Sequence, residues 1–127
     1  MKTKNIRIAS QIVGLLLLSG ALAAQAATTY IKANNTTALP TSGSWIVAGA
    51  PGSGDIGKWD STVLAANTVA LGTPYSIGEI MIANPGGDVS ISDATAANIL
   101  TLNGVSSVGL DETSTRSEEH TSELQVT

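Results

Sequence analysis

Apolar and polar residues alternate in short runs through the middle of the chain, most clearly from Asn67 to Asn103. Two apolar residues separated by one position face the same side of a β-strand. Four such pairs occur in this stretch: Val69/Leu71, Ile80/Ile82, Val89/Ile91 and Leu100/Leu102. The third pair repeats the first at a 20-residue interval, and the fourth repeats the second at the same interval. The pattern predicts an all-β fold, a parallel β-solenoid with two strands per repeat, in which the third pair stacks on the first and the fourth on the second.

Weaker strand signals precede this stretch. Thr28–Ala33 alternates and predicts a first strand, Trp45–Val47 predicts a short apolar strand, and Trp59–Leu64 predicts a further extended segment. Gly49–Gly57 is rich in glycine and proline, so it predicts a turn region. Ala94–Leu100 is long enough for a turn or two of helix, and no other segment after position 26 predicts one.

The segment 1–26 has the organisation of a secretory signal peptide. Basic residues at positions 2, 4 and 7 precede an apolar run, Ile12–Ala24, that is short for a membrane span. Ala24-Gln25-Ala26 supplies the small-x-small pattern that signal peptidase reads, so we expect a signal-peptide helix and cleavage after Ala26. The alternative is an uncleaved amino-terminal anchor. Either interpretation predicts that the chain is exported.

The end of the chain has a different character. Arg116–Gln125 reads RSEEHTSELQ, which is dense in charge and has no strand pattern. This run resembles the translation of a short-read sequencing adapter, and we interpret it as an artefact at the end of a truncated gene. The alternative is a native acidic tail of the solvated kind. We therefore expect a disordered tail over 111–127 and a solenoid segment over 27–110, with further β-coils belonging to the missing part of the protein.

The charge and cysteine content of the 27–110 segment limit the partners and cross-links that we expect for it. Its charged side chains are Lys32 and Lys58 against Asp55, Asp60, Glu79, Asp88 and Asp93, a net charge of −3. Mild acidity gives no electrostatic reason to expect nucleic acid as a partner. The chain has no cysteine, so disulfides do not stabilise it.

Several short motifs resemble phosphate-binding or cation-binding sites, but each lacks a residue or an arrangement that such a site needs. Gly52–Lys58 (GSGDIGK) matches the spacing of a phosphate-binding loop, yet Trp59 stands where that loop needs Ser or Thr, and we expect no nucleotide. Gly86-Gly87-Asp88 resembles the start of a calcium-binding nonapeptide but lacks its third glycine, so we interpret it as a turn. Asp55 and Asp60 are close enough in sequence to share a cation, although isolated surface carboxylates rarely do so.

Catalysis has little support in the segment. Its five carboxylates are scattered among turns, and it contains neither arginine nor histidine. We expect no catalytic, cofactor-binding or metal-binding residues, and no cofactor. Trp45 and Trp59 could stack on sugars, but we favour packing, because an indole covers an open end of a core well.

A family resemblance adds to these expectations. TTYIKANNT at Thr28–Thr36, APGSGDI at Ala50–Ile56, WDS at Trp59–Ser61, ANTVALG at Ala66–Gly72 and the series of apolar residues around NPGG from Ile80 to Ile91 together resemble the beginning of bacterial autotransporter-associated β-strand repeat proteins. The resemblance covers almost all of 27–110. It implies a right-handed parallel β-helix of the autotransporter-passenger type, exported to the cell surface, the outer membrane or the medium. It carries no catalytic residues.

The leading hypothesis is a non-enzymatic, exported segment with a structural or adhesin-like role. Its partners would be the export machinery and a surface ligand, such as a polysaccharide or other cells. The alternative is the amino-terminal fragment of a β-helical polysaccharide lyase or hydrolase, which needs clustered Asp, Lys or Arg on one face.

Overall fold

A computed structural model describes residues 25–114 and the backbone of residues 124–126. The predictions on the signal-peptide helix and on most of the adapter-like segment lie outside the described residues. The strands are β1 Thr29–Ile31, β2 Ile56–Trp59, β3 Asn67–Ala70, β4 Tyr75–Ile77, β5 Glu79–Ile82, β6 Val89–Ser92, β7 Leu100–Leu102, β8 Leu110–Glu112 and β9 Leu124–Val126. Among the described residues, the one helical element is a 3₁₀ turn at Ser42–Ser44. The fold is all-β, as the sequence predicts.

The strands form three small sheets, and every strand pair in them is parallel. The strand orders are β1-β2-β5-β8, β3-β6-β9 and β4-β7. The chain therefore visits the three sheets in the same order twice, through β2, β3 and β4 and then through β5, β6 and β7. We call these two passages the first and second layers. Each strand of the second layer pairs with its counterpart in the first.

The predicted stacking register is wrong. Val69 pairs with Ile91 and Asn67 with Val89, an interval of 22 positions rather than 20. In the neighbouring sheet, Leu100 pairs with Tyr75 and not with Ile80. Register in a parallel pair follows the length and path of the intervening turns, which differ between sheets, whereas apolar spacing reports only which side a residue faces. The predicted facing is correct for Val69 and Ile91, because intervals of 20 and 22 are both even.

Three other predictions, on two strands and on the tail, also differ from the structure. Trp45–Val47 is not a regular strand, because Trp45 makes a single antiparallel bridge to Lys32 and the next two side chains are more than half exposed. The extended segment predicted at Trp59–Leu64 begins earlier, at Ile56, and ends at Trp59. The tail predicted to be disordered from 111 contains strand residues: β8 pairs with β5, and β9 pairs with β6.

A buried aliphatic and aromatic core fills the space between the sheets. Its members are Leu39, Trp45, Trp59, Val63, Val69, Leu71, Ile77, Ile80, Ile82, Val89 and Ile91. Fully burying such a side chain stabilises a fold by roughly 1.5–3 kcal/mol. The two indoles pack edge to face with ring centroids 5.7 Å apart, and Tyr30 meets Trp45 in the same way at 6.4 Å. A Cβ at Gly57 would lie 2.8 Å from Trp45, so glycine makes room for this ring.

Residues 33–48, which we call the amino-terminal cap, fold beneath the first layer. The cap covers two strand edges: Ile46 N–H donates to Ile31 O at the edge of β1, and Leu39 N–H donates to Ala70 O at the edge of β3. An uncovered edge is a template for pairing with other chains. At the opposite end, the apolar side chains of Leu102 and Leu110 are 37% and 48% exposed. The cap therefore covers the lower edges of two of the three sheets, whereas apolar side chains are exposed at the upper end of the described fold.

Candidate functional site

Asp55 and Asp60, the pair considered for a shared cation, are not brought together by the fold. The two residues flank β2, one before Ile56 and one after Trp59. A strand rises about 3.3 Å per residue, so an offset of five positions separates their backbones by about 16 Å. Two carboxylates at opposite ends of an extended strand cannot bind one ion. Among the described residues, no group of three or more acidic or histidine side chains could hold a metal ion.

Each of these carboxylates instead accepts hydrogen bonds from nearby backbone. Asp55 accepts from Gly52 N–H at 2.8 Å and from Thr28 N–H at 3.1 Å, which ties the loop before β2 to the residue before β1. Asp60 accepts from Thr62 N–H at 2.9 Å and lies 3.9 Å from the Lys58 ammonium. Burial acts to raise the pKa of Asp60, but the bonds from Thr62 and the charge of Lys58 lower it overall. Both residues organise turns.

Asp93 has a similar role between β6 and β7. Its carboxylate accepts from Ala97 N–H, Asn98 N–H and the Asn98 side-chain amide at 2.8–2.9 Å, and from Thr95 Oγ1 at 3.0 Å. These bonds, those from Asn98 foremost, lower its pKa to about 2. They close a compact turn where the sequence allowed a short helix. Asp88, another of the candidate carboxylates, is exposed in the turn before β6.

Glu79 is the one candidate carboxylate that is almost fully buried, with 5% of its surface exposed. Burial, and then the neighbouring carboxylate of Asp111, raise its pKa. Met81 is level with Asp111 in the paired strands, so Glu79 is two positions away on the same face. Acid–base chemistry would need a complementary group in a cleft beside this pair. The described part of the chain contains neither arginine nor histidine, and Lys58 on this face is ion-paired with Asp60.

A buried lysine, which the sequence analysis did not single out, anchors the amino-terminal cap. Lys32 is fully buried, and its Nζ donates to Ala33 O, Asn35 O and Asn35 Oδ1 at 3.0, 2.8 and 2.9 Å. Three carbonyl acceptors match the three N–H groups of an ammonium. Burial lowers the pKa of Lys32 to about 8. The alternation of Thr28–Ala33 does not show which side of β1 is buried, because Tyr30 shares one side with Lys32 and Ile31 lies on the other.

Two asparagines extend this cluster into the core. The Asn67 side-chain amide donates to Asn35 O at 2.9 Å, and its Oδ1 accepts from Trp59 Nε1 at 3.0 Å. A further bond joins Asn35 Nδ2 to Gly43 O at 2.9 Å. The network therefore links the cap to β2 and β3 of the first layer. Each buried polar atom in it has a partner, as stability in a low-dielectric interior requires.

The tryptophans pack as expected, and they are not platforms for a sugar. Trp59 is fully buried and Trp45 is 4% exposed. The Trp45 indole also donates to Leu39 O at 2.9 Å, a hydrogen bond between two buried residues of the cap. A ring that is covered on both faces cannot stack on a ligand.

The two glycine motifs also have structural explanations. In the phosphate-loop-like stretch, Ile56–Trp59 forms strand β2 where a phosphate site needs a helix. At Gly86 and Gly87, a Cβ would come closer than 3.0 Å to backbone atoms of Leu64–Ala66, so glycine permits one turn to lie directly on another. Both motifs therefore position backbone rather than ligands.

A surface depression lies among the described residues before β1 and before β2. It has a volume of about 290 Å³ and is lined by Gln25, Ala26 and residues 52–55. Its walls combine small side chains, exposed backbone and the Asp55 carboxylate. It lies where the end of the predicted signal peptide meets the loop before β2.

No family model matches the chain, and no curated protein or solved structure matches it either. Within the residues that the structure describes, no helix has the length and apolar character needed to cross a membrane.

Proposed function

We propose that the chain is a non-enzymatic segment of an exported parallel β-solenoid with a structural or adhesive role. The observation that carries this proposal is the repeated order of the strands. Two layers visit three sheets in the same sequence, and each strand pairs in parallel with its counterpart. A solenoid is built in this way, since each repeat buries its apolar face mainly against its neighbours.

The asymmetry of the two ends supports the same proposal. Terminal repeats of solenoids carry a cap that shields the end of the core. Here the cap at 33–48 covers the lower edges of β1 and β3, whereas the apolar side chains of Leu102 and Leu110 remain exposed above. Further β-coils of the same protein would cover that upper end. The right-handed coil implied by the family resemblance is part of this proposal.

The chemistry of the described side chains favours a structural role over catalysis. Asp55, Asp60 and Asp93 each accept hydrogen bonds that shape a turn. The buried ammonium of Lys32 is surrounded by carbonyl groups and does not face a cleft. The outward positions of β3 and β6 are Thr68, Ala70, Ser90 and Ser92, an uncharged face suited to contact with a polysaccharide or another cell surface.

Export and secretion enter the proposal through the signal-peptide pattern at 1–26, and surface display through the family resemblance. The alternative of a β-helical polysaccharide lyase or hydrolase would need a row of Asp, Lys or Arg on one outer face. In the described part of the chain, the nearest arrangement is Glu79 with Asp111, and no free base accompanies it.

The test is to produce the full chain with its leader in an exporting bacterial host and to recover the secreted and cell-associated fractions. Binding to a panel of insoluble polysaccharides and to bacterial cells is then measured beside turnover of the same polysaccharides. We expect a β-rich circular dichroism spectrum, and retention on at least one surface without any product. Release of reducing ends or unsaturated sugars would favour the enzyme instead, and a helical spectrum would refute the architecture.

A further inference from the structure

The described residues just before β1 are mostly exposed. Gln25, Ala26 and Thr28 are exposed, and Ala27 is partly exposed. Among the described residues, the first hydrogen bonds to the rest of the fold are at Thr28: its N–H donates to Asp55 Oδ1 at 3.1 Å, and its carbonyl accepts from Ile56 N–H at 2.9 Å. The bond between Ala26 and Ala27 therefore lies one residue outside the paired part of the fold.

Asp55 lies at this boundary. Its Oδ2 accepts from Gly52 N–H at 2.8 Å, which fixes the carboxylate within the loop before β2. Its Oδ1 faces the start of β1 through the bond from Thr28. The depression of about 290 Å³ lies between Gln25 and Ala26 on one side and residues 52–55 on the other. Removal of the segment 1–26 would take away one wall of this depression and leave Asp55 facing the new end of the chain.

We propose that Asp55 is the binding site for the α-ammonium group that cleavage after Ala26 creates on Ala27, so that removal of the leader fastens β1 to the loop before β2. This inference rests on the export part of the proposed function. Consecutive backbone nitrogens are at most about 3.7 Å apart by bond geometry, so the new ammonium would start within about 7 Å of Asp55 Oδ1. Rotation within Ala27 brings it closer. A free terminus can make that rotation, whereas a continuous chain cannot.

Within the described residues, the structure places no competing cation at Asp55. Lys58 lies at the other end of β2 and pairs with Asp60. A charge-assisted bond to an ammonium is stronger than the bonds from neutral amides that Asp55 makes now. The captured terminus would reinforce the edge of the sheet at which β1 joins β2. Loss of the leader would then add a contact between the start of β1 and the loop before β2, in addition to releasing the protein.

The experiment begins with the full chain exported and processed in a bacterial host, followed by intact mass analysis. We expect an amino terminus at Ala27. The terminal amine is then labelled by reductive ¹³C-methylation and titrated by NMR in the wild type and in Asp55→Asn. The matched control is Asp88→Asn, which makes the same chemical change at an exposed turn. A second variant, with two glycines inserted after Ala26, moves the amine away from Asp55 without altering the folded part.

A terminal amine without a partner titrates near 7.7–8.0. For a pair about 5 Å apart, Coulomb's law gives an upward shift of roughly half a pKa unit even at the dielectric constant of bulk water, and a larger shift near a protein surface. We expect this shift in the wild type and in Asp88→Asn, and its loss in Asp55→Asn and in the glycine insertion. The insertion decides the question if Asp55→Asn fails to fold. Equal titration in all four proteins, or a terminus elsewhere than Ala27, overturns this inference and leaves the solenoid intact. A chain that stays inside the cell with the segment 1–26 attached overturns the export part of the proposed function.

Discussion

Replacing Gly86 by alanine tests the contact between the layers most sharply. The turn at 84–87 of the second layer lies on residues 64–66 of the first, and a Cβ at Gly86 would come closer than 3.0 Å to Leu64 backbone atoms. Gly86 does not have a positive φ, so alanine suits its conformation and only the close approach opposes it. Because the obstacle is backbone, no side-chain rotation relieves it, and the two turns must separate.

Overpacking against side chains costs about 1–3 kcal/mol, so we expect Gly86→Ala to lower the free energy of unfolding by about 3 kcal/mol. The matched control is Gly43→Ala, since a Cβ there meets nothing within 4 Å. It should leave stability unchanged or raise it by up to about 1 kcal/mol.

Urea unfolding monitored by tryptophan fluorescence measures both variants, because the chain has two tryptophans and both are buried in the core. With a slope of about 1.5 kcal/mol per molar urea, a loss of about 3 kcal/mol lowers the midpoint by about 2 M. If Gly86→Ala unfolds within about 0.5 kcal/mol of Gly43→Ala, the two turns do not touch and the stacking argument is refuted.

The polar contacts give three further expectations. Burial lowers the pKa of Lys32 from 10.5 to about 8, so the unfolded chain binds this proton more tightly, and stability should rise as the pH increases from 8 to 10.5. Urea midpoints across that range measure the rise, and Lys32→Met should abolish it. The pKa of Asp93 is lowered to about 2, so its contribution is fully present above the ordinary value near 3.9 and is lost as the pH falls through about 2. Protection of the Ala97 and Asn98 amides against hydrogen exchange, taken relative to the intrinsic rate at each pH, should fall in that acid window, and at neutral pH in Asp93→Asn; unchanged protection would contradict the turn. Trp59→Phe removes the donor to Asn67 Oδ1, which is buried, and should cost about 1–3 kcal/mol in thermal or urea unfolding. A loss below about 0.5 kcal/mol would mean that water or another donor reaches that oxygen.

The strands at the four apolar pairs could be predicted from the sequence, because alternation reports burial directly, but β4 could not, and each layer has three strands rather than the predicted two. Val69 and Ile91 face the core as their parity requires, and the turn at Gly86-Gly87 lies where glycine predicts it. The stacking partner could not be predicted from the same signal. The expected interval of 20 and the observed interval of 22 place the same side chains inward. The two intervals differ only in which backbone residues pair across the strands, and the lengths of the turns determine that pairing.

The polar residues show a second limit of sequence reasoning. Asp55 and Asp60 are five positions apart, which suggests proximity until the intervening residues are known to be a strand. Lysine side chains normally lie at the surface, yet local carbonyl groups satisfy the Lys32 ammonium in the core. Sequence composition does not reveal that a loop folds back to supply such acceptors. The cap, and with it the buried cluster, depends on tertiary contacts that leave little periodic pattern.

The most direct test of the parallel stacking of successive layers is a disulfide register scan in this cysteine-free chain. Thr68 faces outward from β3 and pairs with Ser90 of β6. Adjacent strands are about 4.8 Å apart, which suits a disulfide, whereas a slip of two positions adds about 7 Å along the strand. We expect rapid oxidation of Thr68→Cys/Ser90→Cys and little cross-linking of Thr68→Cys/Asp88→Cys, the pair expected for a 20-residue repeat. Preferential cross-linking of the second pair, or of neither, would contradict it.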